Sequence, residues 1–343
     1  MPGAGLARDA MSELRKDVIT GRWVIVSTES RKRRSDFHLE PVVLRPDNDC
    51  PYCEGHEQMT PRELLVYGRE GREPNAPGWT LRVVPSQVPV LRVEGTLDRQ
   101  GEGLFDKMNG IGAHEVIVES PWHEATLATL DEAAVEQALW ACRERVQDLK
   151  RDQRFRSIVV FKNHGAAAGA AVEHSHLQLI ALPIVPREVR DEVDGARSHY
   201  ETKERCIFCD MLRQETTDGS RVIAENADMV AVAPYASRFP FETWILPRRH
   251  EARFEDAPRQ EYASLARMLG DLLRRMHKTL EMPPYNLLIH SAPVQEAVGD
   301  YYHWHVEIIP KLTKVAGYEW ATGFYLNPVA PEEAAQVLRD TRT

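Results

Sequence analysis

VEHSHLQLI at residues 172–180 and YYHWHVEII at residues 301–309 are two versions of one segment. Each carries two histidines two positions apart, a polar side chain two positions further on, and an apolar tail. In the first version the polar residues alternate as His174, His176 and Gln178. Residues i, i+2 and i+4 of a β-strand point to one face. The spacing therefore predicts two imidazoles and an amide in a row, about 7 Å apart from two rises of ~3.3 Å. Such a row is either a polar edge in water or a prepared site.

The surroundings of the two segments also repeat. CPYC at 50–53 answers CIFC at 206–209, and AHEVIVESPWH at 113–123 answers PFETWILPRRH at 240–250. A helical pattern follows over 131–152, with Ala134, Ala138, Leu139, Cys142, Val146 and Leu149 on one face. Its counterpart covers 256–280, with Tyr262, Leu265, Met268, Leu269, Leu272, Leu273 and Met276. Strands SIVVFKN (157–163) and YNLLIHS (285–291) come next. The order C-x-x-C, strand, His, helix, strand, H-x-H strand thus occurs twice, which marks a duplication. From Cys53 to His123 is 70 residues, against 41 from Cys209 to His250, so the first copy carries an insertion. The expected fold is α+β: a duplicated unit, each copy an antiparallel half-barrel sheet with one long helix against it. The expected boundaries are 12–195 and 196–343, and the copies can share one sheet.

The 343 residues are 43% apolar, enough for a sizeable core, and carry a formal charge of −9. The densest basic run, SRKRRSDF at 30–37, is too short for a nucleic-acid tail but long enough to hold phosphate. No run of 18 apolar residues predicts a membrane span. The first residues lack an apolar signal core, so reduced cysteines in a cytoplasm are expected.

Four of the five cysteines form the two pairs. Zinc takes thiolate and imidazole tetrahedrally. Copy one offers Cys50, Cys53, His123 and His174; copy two offers Cys206, Cys209, His250 and His303. Two structural zinc ions follow. The competing reading is redox dithiols or buried thiols. A redox C-x-x-C opens a helix after a strand, whereas both pairs read as knuckles in loops. A nucleic-acid zinc ribbon needs closely spaced ligand pairs and a basic surface, and this chain has neither. His303 rather than His305 is the ligand, because it stands where His174 stands. Cys142 falls on an apolar helix face and reads as core.

With His174 fixed by metal, His176 stands on a pinned backbone. The small-residue turn NHGAAAGAA (163–171), with Gly165, lets backbone N–H groups approach a phosphate. Gln178 is a neutral donor for an oxyanion. Imidazole is a nucleophile at neutral pH, and its phosphoramidate keeps enough transfer potential to pass the group on.

HSHLQ, the two CxxC-plus-His sets, VIVESPWH, FKNHGAAAG and GYEWATGFYLNP resemble the galactose-1-phosphate uridylyltransferase family. That family is the transferase branch of the histidine triad superfamily, so the resemblance makes each unit histidine-triad-like. It covers the chain from residue 17 to the end. It implies that His176 accepts a nucleoside monophosphate from a nucleotide sugar and that Gln178 holds the transferred group. It also implies that Asn163 seats the phosphate and Arg33 faces the phosphates. Tyr52 is assigned a face on which a base stacks, and Tyr325 takes the place of a sugar-contacting Gln. Glu319 is either a sugar contact or a solvated carboxylate. Homodimers are implied, with active sites near the interface. The family usually has Pro between the two histidines of the active strand. Ser175 stands there instead, as in the related ADP-glucose phosphorylases. Ser86 replaces a base-contacting Asn, and Ser30, Arg34 and Ala171 are further departures.

The function expected first is therefore ping-pong uridylyl transfer between UDP-glucose and a hexose 1-phosphate. The alternative is adenylyl transfer from ADP-glucose to phosphate. More remote is a histidine-triad nucleotide hydrolase or binding protein. Those small proteins have a single unit and usually a His at the Gln178 position. A non-enzymatic zinc scaffold leaves His176 and the small-residue turn unexplained.

Overall fold

The computed structural model describes residues 11–27, 36–37, 41–44, 49–69, 71 and 73–343. The first half contains β1 (Glu13–Lys16), β2 (Trp23–Val26), β3 (Leu65–Tyr67), β4 (Leu81–Pro85), β5 (Gln100–Glu102), β6 (Phe105–Lys107), β7 (Ala113–Val118), α1 (Glu132–Leu149), β8 (Ser157–His164) and β9 (His176–Leu182). Helices α2 (Arg187–Lys203) and α3 (Ile207–Asp218) lead into β10 (Val222–Glu225), β11 (Met229–Val232) and β12 (Thr243–Pro247). Then come α4 (Arg259–Leu280), β13 (Tyr285–His290), β14 (His305–Pro310), α5 (Gly317–Thr322), β15 (Tyr325–Asn327) and α6 (Pro331–Asp340).

Ten strands form one antiparallel sheet in the order β10-β11-β12-β14-β13-β8-β9-β7-β4-β3. Reading outward from the β13–β8 pair, each strand meets its sequence counterpart: β14 with β9, β12 with β7, β11 with β4, β10 with β3. The duplication is thus a near-symmetric sheet whose halves join edge to edge, with Asn286 opposite Asn163 at the seam. A three-stranded sheet, β1-β2-β15, stands apart, and its β2–β15 pair is parallel. The first-copy insertion contains the exposed β5–β6 hairpin.

Both long helices form where the apolar period demanded. Asp131 caps α1 by accepting from the Ala134 N–H at 2.8 Å, and Val135, Ala138, Leu139, Cys142, Val146 and Leu149 are buried. On α4, Tyr262, Leu265, Leu269, Leu272, Leu273 and Met276 are buried. Each Val, Leu and Met among them contributes roughly 1.5–3 kcal/mol by leaving water. The two helices lie together on one face of the sheet. Trp140 packs edge-on against Tyr262 at 5.2 Å, and Arg267 pairs with Glu132. Among the described residues no helix is long and apolar enough to cross a membrane.

Three local expectations need correction. The active segment is not strand from residue 172; β9 begins at His176. His174 is drawn out of line by its bonds to the CxxC sulfurs and to the Ser120 carbonyl. CIFC is not in a loop, because Cys206 is the N-cap of α3 and Cys209 lies in its first turn. That turn follows helix α2 rather than a strand. The segment between the copies is largely helical, where no helix was expected.

Candidate active site and metal centres

β9 is held on both sides, with His176 opposite Val118 of β7 and Gln178 opposite Phe161 of β8. His176 is buried, and its Nδ1 lies 2.7 Å from the His174 carbonyl oxygen. A carbonyl only accepts, so Nδ1–H is the donor and Nε2 carries the free lone pair. Burial, followed by the positive charge of Lys162, pulls the His176 pKa down to about 4. The ring is therefore neutral at physiological pH, the state in which an imidazole is nucleophilic.

Gln178 meets His114, which sequence reasoning left without a role. The His114 Nε2 is 3.0 Å from Gln178 Oε1, while its Nδ1 accepts from the Val90 N–H at 3.4 Å. The imidazole thus donates through Nε2, the Gln178 oxygen faces it, and the amide NH2 is turned the other way to donate. The signal for His114 was its place on β7, two residues before the Val116 that pairs with Gln178.

Asn163 continues the site-facing side of β8 beyond Phe161. Its oxygen accepts from Asn286 at 2.8 Å, and its amide donates to the Gly169 carbonyl at 3.3 Å. Gly165 has φ +83° and ψ 152°, a region open essentially to glycine alone. A Cβ there would fall 2.5 Å from a Val42 methyl and 2.9 Å from the Pro284 Cβ. Within the turn the N–H groups of Ala168, Gly169 and Ala170 are bonded to the Gly165 and Ala166 carbonyls. Tyr52 is buried with its ring 5.3 Å from that of His176 and 6.2 Å from that of His174. Burial, then the nearby Cys50, pushes its phenol up to about 12.

Three further residues were expected as contacts. Glu319 accepts from the Ala316 N–H at the start of α5. Tyr325 sits on β15 beside Val24, its ring 5.2 Å from Phe239 of the second copy. Arg33, with Ser30 and Arg34, lies outside the described residues.

Both predicted ligand sets assemble. Cys50, Cys53, His123 and His174 form one cluster and Cys206, Cys209, His250 and His303 another, each with ligand atoms within 4.8 Å of one another. Sulfur-to-Nδ1 distances are 3.4–3.6 Å in both. A tetrahedral zinc with its usual bond lengths has an S···N edge of about 3.6 Å, so the residues fit that ion. The far nitrogens of three ligands are oriented by carbonyls: His174 by Ser120 (2.8 Å), His250 by Gly299 (2.6 Å) and His303 by Pro247 (3.0 Å). Hydrogen bonding from Cys206, then from His250 and His303, outweighs burial and pulls Cys209 down to about 3, toward thiolate.

The second-copy counterpart of His176 has a different fate. His305 is fully buried and stacked between Trp244 (5.0 Å) and His290 (4.5 Å), with Phe208 in the place of Tyr52. Glu307 replaces Gln178 and is tied to Arg238 at 2.6 Å. Burial disfavours charge on His290, but the carboxylates of Glu192 and Glu307 outweigh it and push its pKa up to about 10. Glu192, His290, His305 and Glu307 form a third group of potential ligands, in which His290 pairs with both carboxylates and stacks on His305. Sequence reasoning missed Glu192, which comes from α2, and Glu307, which alignment with Gln178 could have flagged.

Comparison with known proteins fits this geometry. Residues 6–186 match the galactose-1-phosphate uridyl transferase N-terminal domain, and residues 112–341 match a domain of unknown function (DUF4921). The ADP-glucose phosphorylase of Arabidopsis thaliana is 37% identical over 96% of this chain and 92% of its own. The galactose-1-phosphate uridylyltransferase of Thermotoga maritima is 30% identical over 96% and 99%. The crystal structure of the Arabidopsis ADP-glucose phosphorylase with bound ADP-glucose superposes with a TM-score of 0.82, at 34% identity over 97% of this chain and 100% of that one. With two copies of one strand-and-helix unit, a buried histidine on the first histidine strand, and relatives matched over nearly their whole length, the chain belongs to the galactose-1-phosphate uridyl transferase family of nucleotidyltransferases.

Proposed function

We propose that this chain moves a nucleoside monophosphate from a nucleotide sugar to a phosphate-bearing acceptor through a covalent nucleotidyl-His176. The observation that carries the reading is the tautomer. Nδ1–H is bonded to the His174 carbonyl, so Nε2 has the lone pair that attacks. In the first half-reaction Nε2 bonds to the donor's α-phosphorus, and the sugar 1-phosphate leaves with the electrons of the broken P–O bond. In the second, an acceptor oxygen bonds to the same phosphorus and the imidazole leaves. The Gln178 amide donates to the oxygens that gain charge, and Asn163, whose amide has a second N–H beyond its bond to Gly169, seats the phosphates beside the Gly165 turn.

We name ADP-glucose as donor and phosphate as acceptor. The Arabidopsis ADP-glucose phosphorylase resembles the chain more than the Thermotoga uridylyltransferase does, 37% against 30% identity. Ser175 between the histidines points the same way. Uridylyl transfer from UDP-glucose to galactose 1-phosphate is the second reading, favoured by the match of residues 6–186 to the uridyl transferase domain.

Each Cys2His2 set is read as one structural Zn2+, two per chain. The ion's contribution is to fix the ligands, His174 above all. The working unit is read as a cytoplasmic homodimer. Glu319 accepts only from its own helix start and Tyr325 packs on Phe239 of the second copy, and a sugar contact from either is read as serving the His176 of another copy. The two units are read as 12–195 and 196–343, with the join inside α2.

The test is intact-mass spectrometry after exposure to ADP-glucose or UDP-glucose with no acceptor. An AMP adduct on His176 supports the reading. A UMP adduct alone exchanges the donor, and no adduct with either ends the covalent mechanism.

A further inference from the structure

The β8–β9 ladder runs from Ser157 opposite Leu182 to Phe161 opposite Gln178 and ends there. His176 lies two residues past that end, paired only with β7. Behind it, on the face packed by the long helices, Lys162 is 1% exposed and Glu119 is equally buried. The Lys162 ammonium donates to the Glu119 carboxylate oxygens at 2.9 and 3.0 Å and to Ser175 Oγ at 2.8 Å. It also donates to the main-chain carbonyl of His176, at 3.2 Å. The Ser175 hydroxyl in turn donates to Glu119 at 2.6 Å. Ladder and cluster therefore succeed one another along β9. Where β8 stops supplying backbone pairing, a side chain from β8 supplies a donor.

Burying this pair is costly. Each ion loses several kcal/mol of hydration, and apolar residues of similar volume are often as stabilising or more so. An apolar pair would fill the space under the sheet, but it would leave the His176 carbonyl without a donor. We propose that Lys162, held by Glu119 and Ser175, is a positioning residue for the transfer step, fixing the His176 peptide at the end of the ladder. With the carbonyl tied from below by Lys162 and the ring tied through Nδ1 to His174, Nε2 keeps one direction toward the donor's α-phosphorus. This rests on His176 being the nucleophile. Misplacement of a reacting group by about 1 Å costs on the order of 100-fold in rate.

The test uses the full chain with its zinc. Lys162→Met/Glu119→Gln removes both charges together and leaves no orphaned carboxylate. Ser175→Ala removes only the hydroxyl between them. Rapid quench and intact mass follow adduct formation with ADP-glucose and with UDP-glucose, alongside zinc content. Both variants are expected to keep their zinc. The adduct rate at saturating donor should fall about 100-fold in the double variant and about 5-fold in Ser175→Ala. The half-saturating donor concentration should change less than about 3-fold, since a positioning defect acts on the chemical step. A folded double variant with the unmutated rate overturns the proposal. So does a loss that tracks zinc loss, or one confined to donor half-saturation. If the double variant does not fold, Ser175→Ala decides, and an unchanged rate there overturns it. If the unmutated chain forms no adduct with either donor, His176 itself is not the nucleophile and the positioning role falls with it, an outcome distinct from a failure of Lys162 alone.

Discussion

His176 Nδ1 donates to the main-chain oxygen of His174 at 2.7 Å, so one residue both joins the metal-ligand cluster and sets the tautomer of the candidate nucleophile. The bond spans two residues of chain, and it places the lone pair on Nε2 whenever the ring is neutral.

Replacing the nucleophile should abolish the intermediate. His176→Ala is expected to form no nucleotidyl adduct and to lose turnover by about 10^4-fold or more, as covalent catalysts do. Zinc should remain, because no ligand is touched. Near-normal transfer by this variant, measured at saturating donor, would sink the assignment.

Metal content separates the two centres. Elemental analysis is expected to give about two Zn per chain from the two closed ligand sets. Cys50→Ser should lose about one ion together with most activity, since it loosens His174. Cys206→Ser should lose about one ion and thermal stability, with a smaller effect on adduct formation. Equal activity losses in the two variants would contradict the link between the first centre and His176.

The acid limb of stability should contain His164. Burial, then the charge on Lys162, lowers its pKa from 6.5 to about 3. Below pH 6.5 the unfolded chain takes up a proton that the folded chain refuses, so this stability is complete above 6.5 and drains away toward pH 3. One such proton is a slope of about 1.4 kcal/mol per pH unit. His164→Phe should flatten the limb by that amount, read by urea unfolding at several pH values. An unchanged slope would show that His164 is not a source of it.

Gly165→Ala should strain the phosphate turn. Its φ of +83° and the 2.5 Å approach to Val42 leave no room for a methyl group. The expected loss is about 1–3 kcal/mol, with weaker donor binding. Denaturation and donor titration check the two effects separately, and an Ala variant of full stability would show that the turn can relax.

What the sequence disclosed was whatever recurs. Eight cysteines and histidines, two apolar helices and two H-x-H strands stand at matching places, so the duplication and both Cys2His2 clusters were readable in the chain alone. Contacts made across the fold were not. Lys162 and Glu119 are 43 residues apart and look like surface charges in a linear reading. His114 was passed over because nothing local distinguishes it from a strand-edge histidine. The start of β9 at His176 and the helical setting of Cys209 depend on bonds from distant segments, which propensity does not encode. Glu319 and Tyr325 were placed by resemblance alone, because no local pattern marks a sugar contact.

The seam between β8 and β13 has a consequence for symmetry. Two identical subunits joined along such an edge would be bound to carry identical sites, because any change in one appears in the other. Covalent fusion lifts that obligation. Here the second histidine strand has become a wall, its His305 sealed between rings and its Glu307 tied to Arg238. Meanwhile Asn286, from the same half, reaches across to hold Asn163 and the Ala168 carbonyl. The silent copy thus works as a chaperoning arm for its twin, a division of labour open only to halves that are no longer obliged to be alike.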